Sequence, residues 1–237
     1  MTGLSHYLMA NPVLTLLFIC HFLSDFHLQS QTVADKKEQD SYFLKIHLFW
    51  VALPLFLIFC IGKGLWLTLL LVLISHACID FLKPYVRKLF NLSQATSFAI
   101  DQILHLGIIF GLSTYHSNSN LPEWCSSPIL LFILFLLLIS KPTNVAFRIF
   151  FRRFQPEDVE KMDTIPGAGA TIGFLERLAI GICIFFGQFA SIGLIFTAKS
   201  IARYNKISES PAFAEYYLIG SLFSIISALL AAGICLL

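Results

Sequence analysis

Seven ionisable side chains recur at similar positions in four apolar segments of the sequence. They are His21, Asp25, His47, His76, Asp80, Asp101 and His105. Two pairs follow one pattern, in which an aspartate comes four residues after a histidine and is followed by phenylalanine, and the third pair has the reverse order. Because residues four apart share one face of a helix, each pair can converge on a single point.

Imidazole and carboxylate groups together predict a divalent transition metal, with zinc first and manganese or iron as alternatives. Four histidines and three aspartates are enough for one or two ions. Two ions roughly 3.5 to 4 Å apart are a common arrangement for hydrolysing phosphate esters. We predict that Asp25 or Asp101 acts as the general base, because a carboxylate within reach of activated water can accept its proton.

Two other interpretations of the same seven residues remain open from the sequence. Ionisable groups at membrane depth cost several kcal/mol unless they are paired or liganded, and they also serve as cation or proton relays in transporters. An aspartate four residues from a histidine can also form a buried pair that only joins helices.

The composition identifies the elements that must position these groups as membrane-spanning helices. Hydrophobic residues make up 57% of the chain and charged residues 13%, and the mean hydropathy is +0.78, whereas a soluble domain has roughly 25% charged residues. A net charge of +2 and the lack of a basic stripe exclude a nucleic-acid partner. We predict an all-α polytopic bundle in a lipid bilayer, with about seven spans near residues 12–30, 42–61, 65–82, 98–115, 127–147, 171–197 and 213–236.

Basic residues favour cytoplasmic loops, and here they concentrate after the first, third and fifth predicted spans. The segment 116–126 contains no lysine or arginine. This pattern predicts a bacterial inner-membrane protein with its N-terminus outside and the seven ionisable residues near the cytoplasmic face. Lys199 and Arg203 lie in a loop that the alternation places outside, so the last helix pair is either re-entrant or uses these charges for a specific task.

The predicted spans suggest three regions. Residues 1–118 form a four-helix unit with the metal site, which has the layout of a tandem two-helix repeat. Residues 119–170 contain the fifth span and a cytoplasmic linker, in which the basic aromatic stretch 147–154 precedes Glu157, Asp158 and Glu160 and is suited to anionic lipid. Residues 171–237 form a helix pair. The predicted ligands for an anionic substrate group are Lys36, Lys83, Arg177, Lys199 and Arg203.

Several short motifs together carry a family resemblance. They are HFLSDFHLQSQ at 21–31, KPTN at 141–144, GFLER at 173–177, AKSIAR at 198–203 and AEYYLIG at 214–220, together with the His/Asp pairs. With these motifs, almost the whole chain resembles the bacterial membrane family labelled domain-of-unknown-function 3307. The His/Asp pairs alone resemble membrane-bound metal-dependent hydrolases that include SOS-regulated bacterial members, and this likeness implies hydrolysis.

The sequence therefore predicts a metal-dependent hydrolase that acts on a phosphate-containing or lipid-linked substrate at the cytoplasmic face. The alternative is a cation- or proton-coupled transporter that uses the same His/Asp residues.

Overall fold

The structure is a computed structural model that describes residues 3–62, 64–114, 121–122, 125, 128–156, 165 and 167–237. These residues form helices and no strand. Six helices are long and apolar enough to cross a membrane, or seven if a bent N-terminal pair counts as one span. The prediction of an all-α polytopic membrane protein is confirmed. Lys161, the acidic linker residues Glu157, Asp158 and Glu160, and most of segment 116–126 lie outside the described residues.

The chain divides into two compact units, residues 1–137 and 138–237. Among the described residues, the first unit contains six complete helices, and the boundary falls inside a seventh. These helices are α1 Leu4–Ala10, α2 Pro12–Phe22, α3 Gln31–Lys36, α4 Ser41–Ile61, α5 Trp66–Leu89, α6 Gln94–Thr114 and α7 Pro128–Ile139. Helices α2, α4, α5 and α6 pack as a bundle, in which α5 contacts α4 and α6, and α2 contacts the same two helices.

Helix α2 has an irregular start and an irregular end. Leu4–Ala10 meets the following helix at a bend of 102°, where Pro12 at the first turn begins a new helix because its ring fixes φ and removes a donor. At the other end, α2 continues as a π-helical turn, Leu23–Leu28, which contains Asp25. π-Helical turns are wider than α-helical turns and occur often at functional sites.

Helices α5 and α6 each have one stripe of buried residues that faces the centre of the bundle. The buried residues of α6 are spaced four apart, and α5 shows the same spacing from Thr68 to Asp80. In α6 they are Ser97, Asp101, His105, Ile109 and Ser113. Because residues at this spacing share one helix face, the ionisable groups of α5 and α6 face protein and not lipid.

The second unit contains five complete helices in the described residues, α8 Lys141–Phe150, α9 Ala168–Phe185, α10 Phe189–Ala202, α11 Tyr204–Glu209 and α12 Pro211–Cys235. Helix α9 packs against α8, α10 and α12. The basic aromatic stretch 147–154 forms the end of α8 and a short 3-10 turn, Arg152–Phe154.

The prediction of one span over 171–197 is wrong, because the chain reverses between α9 and α10. Gly187 adopts a left-handed conformation with φ of 68° at this break, which glycine adopts without the steric cost of a Cβ atom. The 14 residues of α10 rise only about 21 Å. Helix α10 contacts α9, and Lys199 returns to within 2.6 Å of Glu176 in the middle of α9. The predicted sixth span is therefore a hairpin of two helices.

Candidate metal centre

The seven predicted ionisable residues lie together in the bundle of the first unit. Each is at most 5% exposed. Helix α2 and its π-helical turn position His21 and Asp25, α4 positions His47, and α5 and α6 supply the other four. The predicted convergence of four helices on one buried cluster is therefore present in the structure, and we call these seven residues the His/Asp cluster.

Four donor atoms form the centre of the cluster, and we call them the four-donor group. They are Nε2 of His47, Nε2 of His76, Oδ1 of Asp25 and Oδ2 of Asp80. The two histidine nitrogens lie 3.1 Å apart. The Asp80 oxygen lies 3.0 Å from the His47 nitrogen and 3.4 Å from that of His76. The Asp25 oxygen lies 3.3 Å from His76 and 3.6 Å from His47.

The separation between the two nitrogens, and those between each nitrogen and each carboxylate oxygen, are close to the edges of a tetrahedral zinc site. Zinc bonds of about 2.0 to 2.1 Å place tetrahedral ligands roughly 3.3 to 3.4 Å apart. The Asp25 oxygen is buried and, although close to both histidines, forms no well-aligned hydrogen bond with the residues that the structure describes. Buried polar atoms normally have a partner. His47, His76 and Asp80 therefore form a candidate three-ligand group, and the Asp25 oxygen lies beside its two histidines.

His105 offers a further free ligand atom beside this group. Its Nδ1 lies 2.8 Å from the backbone oxygen of Asp101, to which it donates. This bond assigns the proton to Nδ1 and leaves the lone pair on Nε2 available, a common arrangement for metal-binding histidines. Nε2 is buried and has no hydrogen-bond partner among the described residues. Ligand atoms of Asp80, Asp101 and His105 lie within 4.8 Å of one another.

His21 is arranged in a similar way on the other side of the cluster. Its Nε2 lies 3.2 Å from Oε1 of Gln102, and its buried Nδ1 has no hydrogen-bond partner in the described part of the chain. Nδ1 lies 4.0 Å from Oδ2 of Asp25, and His21, Asp25 and His76 form another candidate ligand group. The cluster therefore has enough donors for a second ion beside the four-donor group.

A lysine that sequence reasoning missed contacts the four-donor group. Nζ of Lys37 lies 3.1 and 3.2 Å from the two carboxylate oxygens of Asp80 and 3.1 Å from Nε2 of His47. The predicted Lys36 instead lies over the ring of Phe43, 5.2 Å from its centroid. The spacing contained a signal, because Lys37 follows the buried residue Val33 by four positions.

A chain of charges connects the cluster with the surface of the first unit. Lys83 Nζ lies 3.4 Å from Oδ2 of Asp101 and 3.2 Å from Oε1 of Glu38. The other oxygen of Glu38 lies 3.4 Å from Arg87. Glu38 and Arg87 also line a cleft of about 370 Å³, together with Gln39, Pro84, Lys88, Asn91 and Leu92. Of the predicted ligands for an anionic group, Lys83 thus lies beside the cluster. The sequence did not predict that Glu38 and Arg87 would belong to this chain of charges.

The other three predicted anion ligands belong to the second unit. Arg177 is 3% exposed and donates to the backbone oxygens of Ile139 and Ser140 and to Oδ1 of Asn144, at 2.5, 3.4 and 2.7 Å. Lys199 donates to Glu176 at 2.6 Å and to Ser221 at 3.0 Å. Arg203 follows the last residue of α10. Arg177 and Lys199 thus have structural partners within their own unit.

The fold and the cluster define a class, namely polytopic helical membrane proteins with a buried histidine and aspartate cluster. The chain belongs to the family described as "Protein of unknown function (DUF3307)", which matches residues 13–132. That range contains the whole His/Asp cluster, and the family resemblance seen in the sequence is confirmed. No curated protein and no solved structure matches the chain, so the likeness to hydrolases stays a prediction.

Proposed function

We propose that this protein is a membrane-embedded, metal-dependent hydrolase of a phosphate-containing, lipid-linked substrate. The observation that carries the proposal is the four-donor group, in which the two imidazole nitrogens lie 3.1 Å apart and each carboxylate oxygen lies 3.0 to 3.6 Å from both of them in a buried site. The proposed location is the cytoplasmic face of a bacterial inner membrane, as the distribution of basic residues suggests.

The donor set favours zinc, with manganese or iron as alternatives, because imidazole and carboxylate ligands suit these ions. His47, His76, Asp25 and Asp80 would hold the first ion, and His21, His105 and Asp101 surround the place for a second. A bound divalent ion supplies Lewis-acid polarisation of a phosphoryl oxygen and activation of water.

The geometry favours Asp101 over Asp25 as the general base. Oδ1 of Asp25 belongs to the four-donor group, whereas Oδ1 of Asp101 is buried and has no hydrogen-bond partner in the described residues. Lys83 and Gln102 hold the other oxygen of Asp101 at 3.4 and 3.2 Å. This arrangement orients a free carboxylate oxygen toward the cluster, where it can accept a proton.

The charges around the cluster favour an anionic substrate over a transported cation. Lys37 and Lys83 both contact cluster carboxylates, and Arg87 and Lys88 line the cleft beyond them. Such side chains attract phosphate and raise the free energy of a passing cation. Transport of cations or protons therefore remains the second candidate, supported by the burial of the cluster alone.

The test begins with protein purified in detergent without chelators. We expect one or two equivalents of zinc by elemental analysis, and phosphate release from lipid phosphomonoesters that stops after chelation and returns with zinc. Asp101→Asn should keep the ion of the four-donor group and lose hydrolysis, whereas Lys45→Gln, which changes an exposed lysine, should keep both. Substoichiometric metal that does not rise on reconstitution would exclude this function. Metal that exchanges readily, without phosphate release, would favour the transporter.

A further inference from the structure

The cleft at the end of α5 contains an internal anion held by two cations. The Glu38 carboxylate uses one oxygen for Lys83, at 3.2 Å, and the other for Arg87, at 3.4 Å. Glu38 follows α3 and precedes α4, so it lies in the connection between two helices. Its side chain is 26% exposed, and that of Arg87 is 40% exposed. Glu38 can therefore move away without the loss of helical hydrogen bonds.

A phosphate group can make the same two contacts as this carboxylate. It also presents several oxygens, and arginine and lysine are the residues that bind such groups in proteins. Lys88 lines the cleft as well, so the lining holds two cationic side chains and one acidic side chain, while Lys83 is shared between Glu38 and Asp101. Once Glu38 has moved aside, the cleft has a net positive charge that suits a dianion.

The two faces of α5 match the two parts of an amphiphile. Pro84, Arg87 and Lys88 line the cleft. The nearby apolar residues of α5 are instead exposed, namely Phe81, Leu82, Tyr85 and Leu89 at 52 to 77%. An exposed apolar surface beside a cationic cleft fits acyl chains beside a charged headgroup.

We propose that this cleft binds a phosphate monoester group, which displaces Glu38 from Lys83 and Arg87. The phosphate would then lie beside Lys83, whose ammonium group also contacts Asp101 of the cluster. Only this side chain would separate the phosphate from the cluster. This inference rests on the proposed function and adds its substrate class, a phosphomonoester carried by a membrane lipid. Glu38 then acts as a stand-in for the phosphate in the unbound protein.

The experiment measures binding to the full-length protein in nanodiscs after metal removal with a chelator. The probes are phosphatidic acid in phosphatidylcholine, phosphatidylcholine alone, and inorganic phosphate as competitor. Wild-type protein should bind phosphatidic acid and should not bind phosphatidylcholine. Displacement by inorganic phosphate at similar concentration would assign the site to a soluble phosphate monoester, and resistance to it would assign the site to the lipid headgroup.

Two variants should change this binding in opposite directions. Glu38→Gln removes the internal carboxylate and should tighten phosphatidic acid binding about fivefold or more, whereas Arg87→Gln should weaken it about tenfold, since hydrogen bonds to charged groups contribute about 1.5 to 3 kcal/mol. Lys206→Gln, which changes an exposed lysine in the other unit outside the stretch 147–154, is the control and should bind like wild type.

The outcomes separate this inference from the proposed hydrolysis. Binding that is absent, or that neither variant changes relative to the control, overturns the headgroup site even if the protein hydrolyses phosphate. Variant-sensitive binding without metal or hydrolysis supports the site and removes the proposed function. The gain in affinity expected for Glu38→Gln also guards against loss of fold, because a misfolded variant would not bind more tightly.

Discussion

Lys37 provides the sharpest test of the metal site, because its ammonium contacts the same atoms that would bind the ion. It lies 3.1 Å from Nε2 of His47 and 3.1 and 3.2 Å from the Asp80 oxygens. At an effective dielectric constant of about 20, two unit charges 4 Å apart interact by about 4 kcal/mol. The repulsion between the Lys37 ammonium and a divalent ion would therefore be about twice that energy. The lysine must therefore leave when a metal binds.

We expect Lys37→Met to tighten zinc binding by about 10- to 100-fold. This range follows because zinc no longer has to break a charged hydrogen bond, which contributes about 1.5 to 3 kcal/mol. The metal-free variant should be less stable than wild type, since the buried Asp80 loses its cation. Added zinc should therefore raise its melting temperature by more than that of wild type.

The assay is zinc competition against a chelating dye, combined with thermal unfolding in detergent at several zinc concentrations. Lys36→Met is the matched control, because the neighbouring lysine lies over the Phe43 ring and outside the cluster. It should leave zinc affinity unchanged. If Lys37→Met binds zinc no more tightly than wild type, the four donors only form polar contacts that join helices and do not form a metal site.

Three further predictions test other parts of the structure. His76→Ala, Asp25→Ala and the double variant should all lose most metal, with no additional loss in the double variant, because ligands of one centre act together; additive stability losses with unchanged metal would refute this. Glu176→Gln should lower the melting temperature, and pairing it with Lys199→Met should restore part of the loss, since a lone buried charge costs about 3 to 5 kcal/mol; equal melting temperatures for the single and double variants would contradict it. A cysteine at Arg87 should be labelled only from the cytoplasmic side, and labelling from outside would reverse the proposed orientation.

The sequence was sufficient to predict the composition of the cluster. Each His/Asp pair has a spacing of four on an apolar helix, and that periodicity alone places its members on one buried face. The membrane class followed from hydropathy. The distances within the four-donor group could not be predicted, because they depend on how α2, α4, α5 and α6 rotate against one another.

Residues outside the spans were harder to predict because they have no strong periodicity. Lys37 and Glu38 follow a helix of only six residues, and a shift of one position decides which lysine enters the cluster. The break at Gly187 was missed because Gln188 and Ser191 are the only polar residues near it and the stretch remains apolar on average. Membrane helices contain several glycines, and the sequence does not show which of them lies at a chain reversal. Only the packing of the helices identifies that glycine.

The π-helical turn at Leu23–Leu28 gives α2 one more residue than an ordinary helix of the same rise needs. Such a turn is wider than an α-helical turn, so deletion of one residue from it should regularise the helix and change the direction of the side chains within the turn. Asp25 would then leave the four-donor group while composition and hydropathy hardly changed. The number of residues in this turn therefore affects the cluster independently of which residues the turn contains. Relatives that differ there by a single insertion or deletion should differ in metal content.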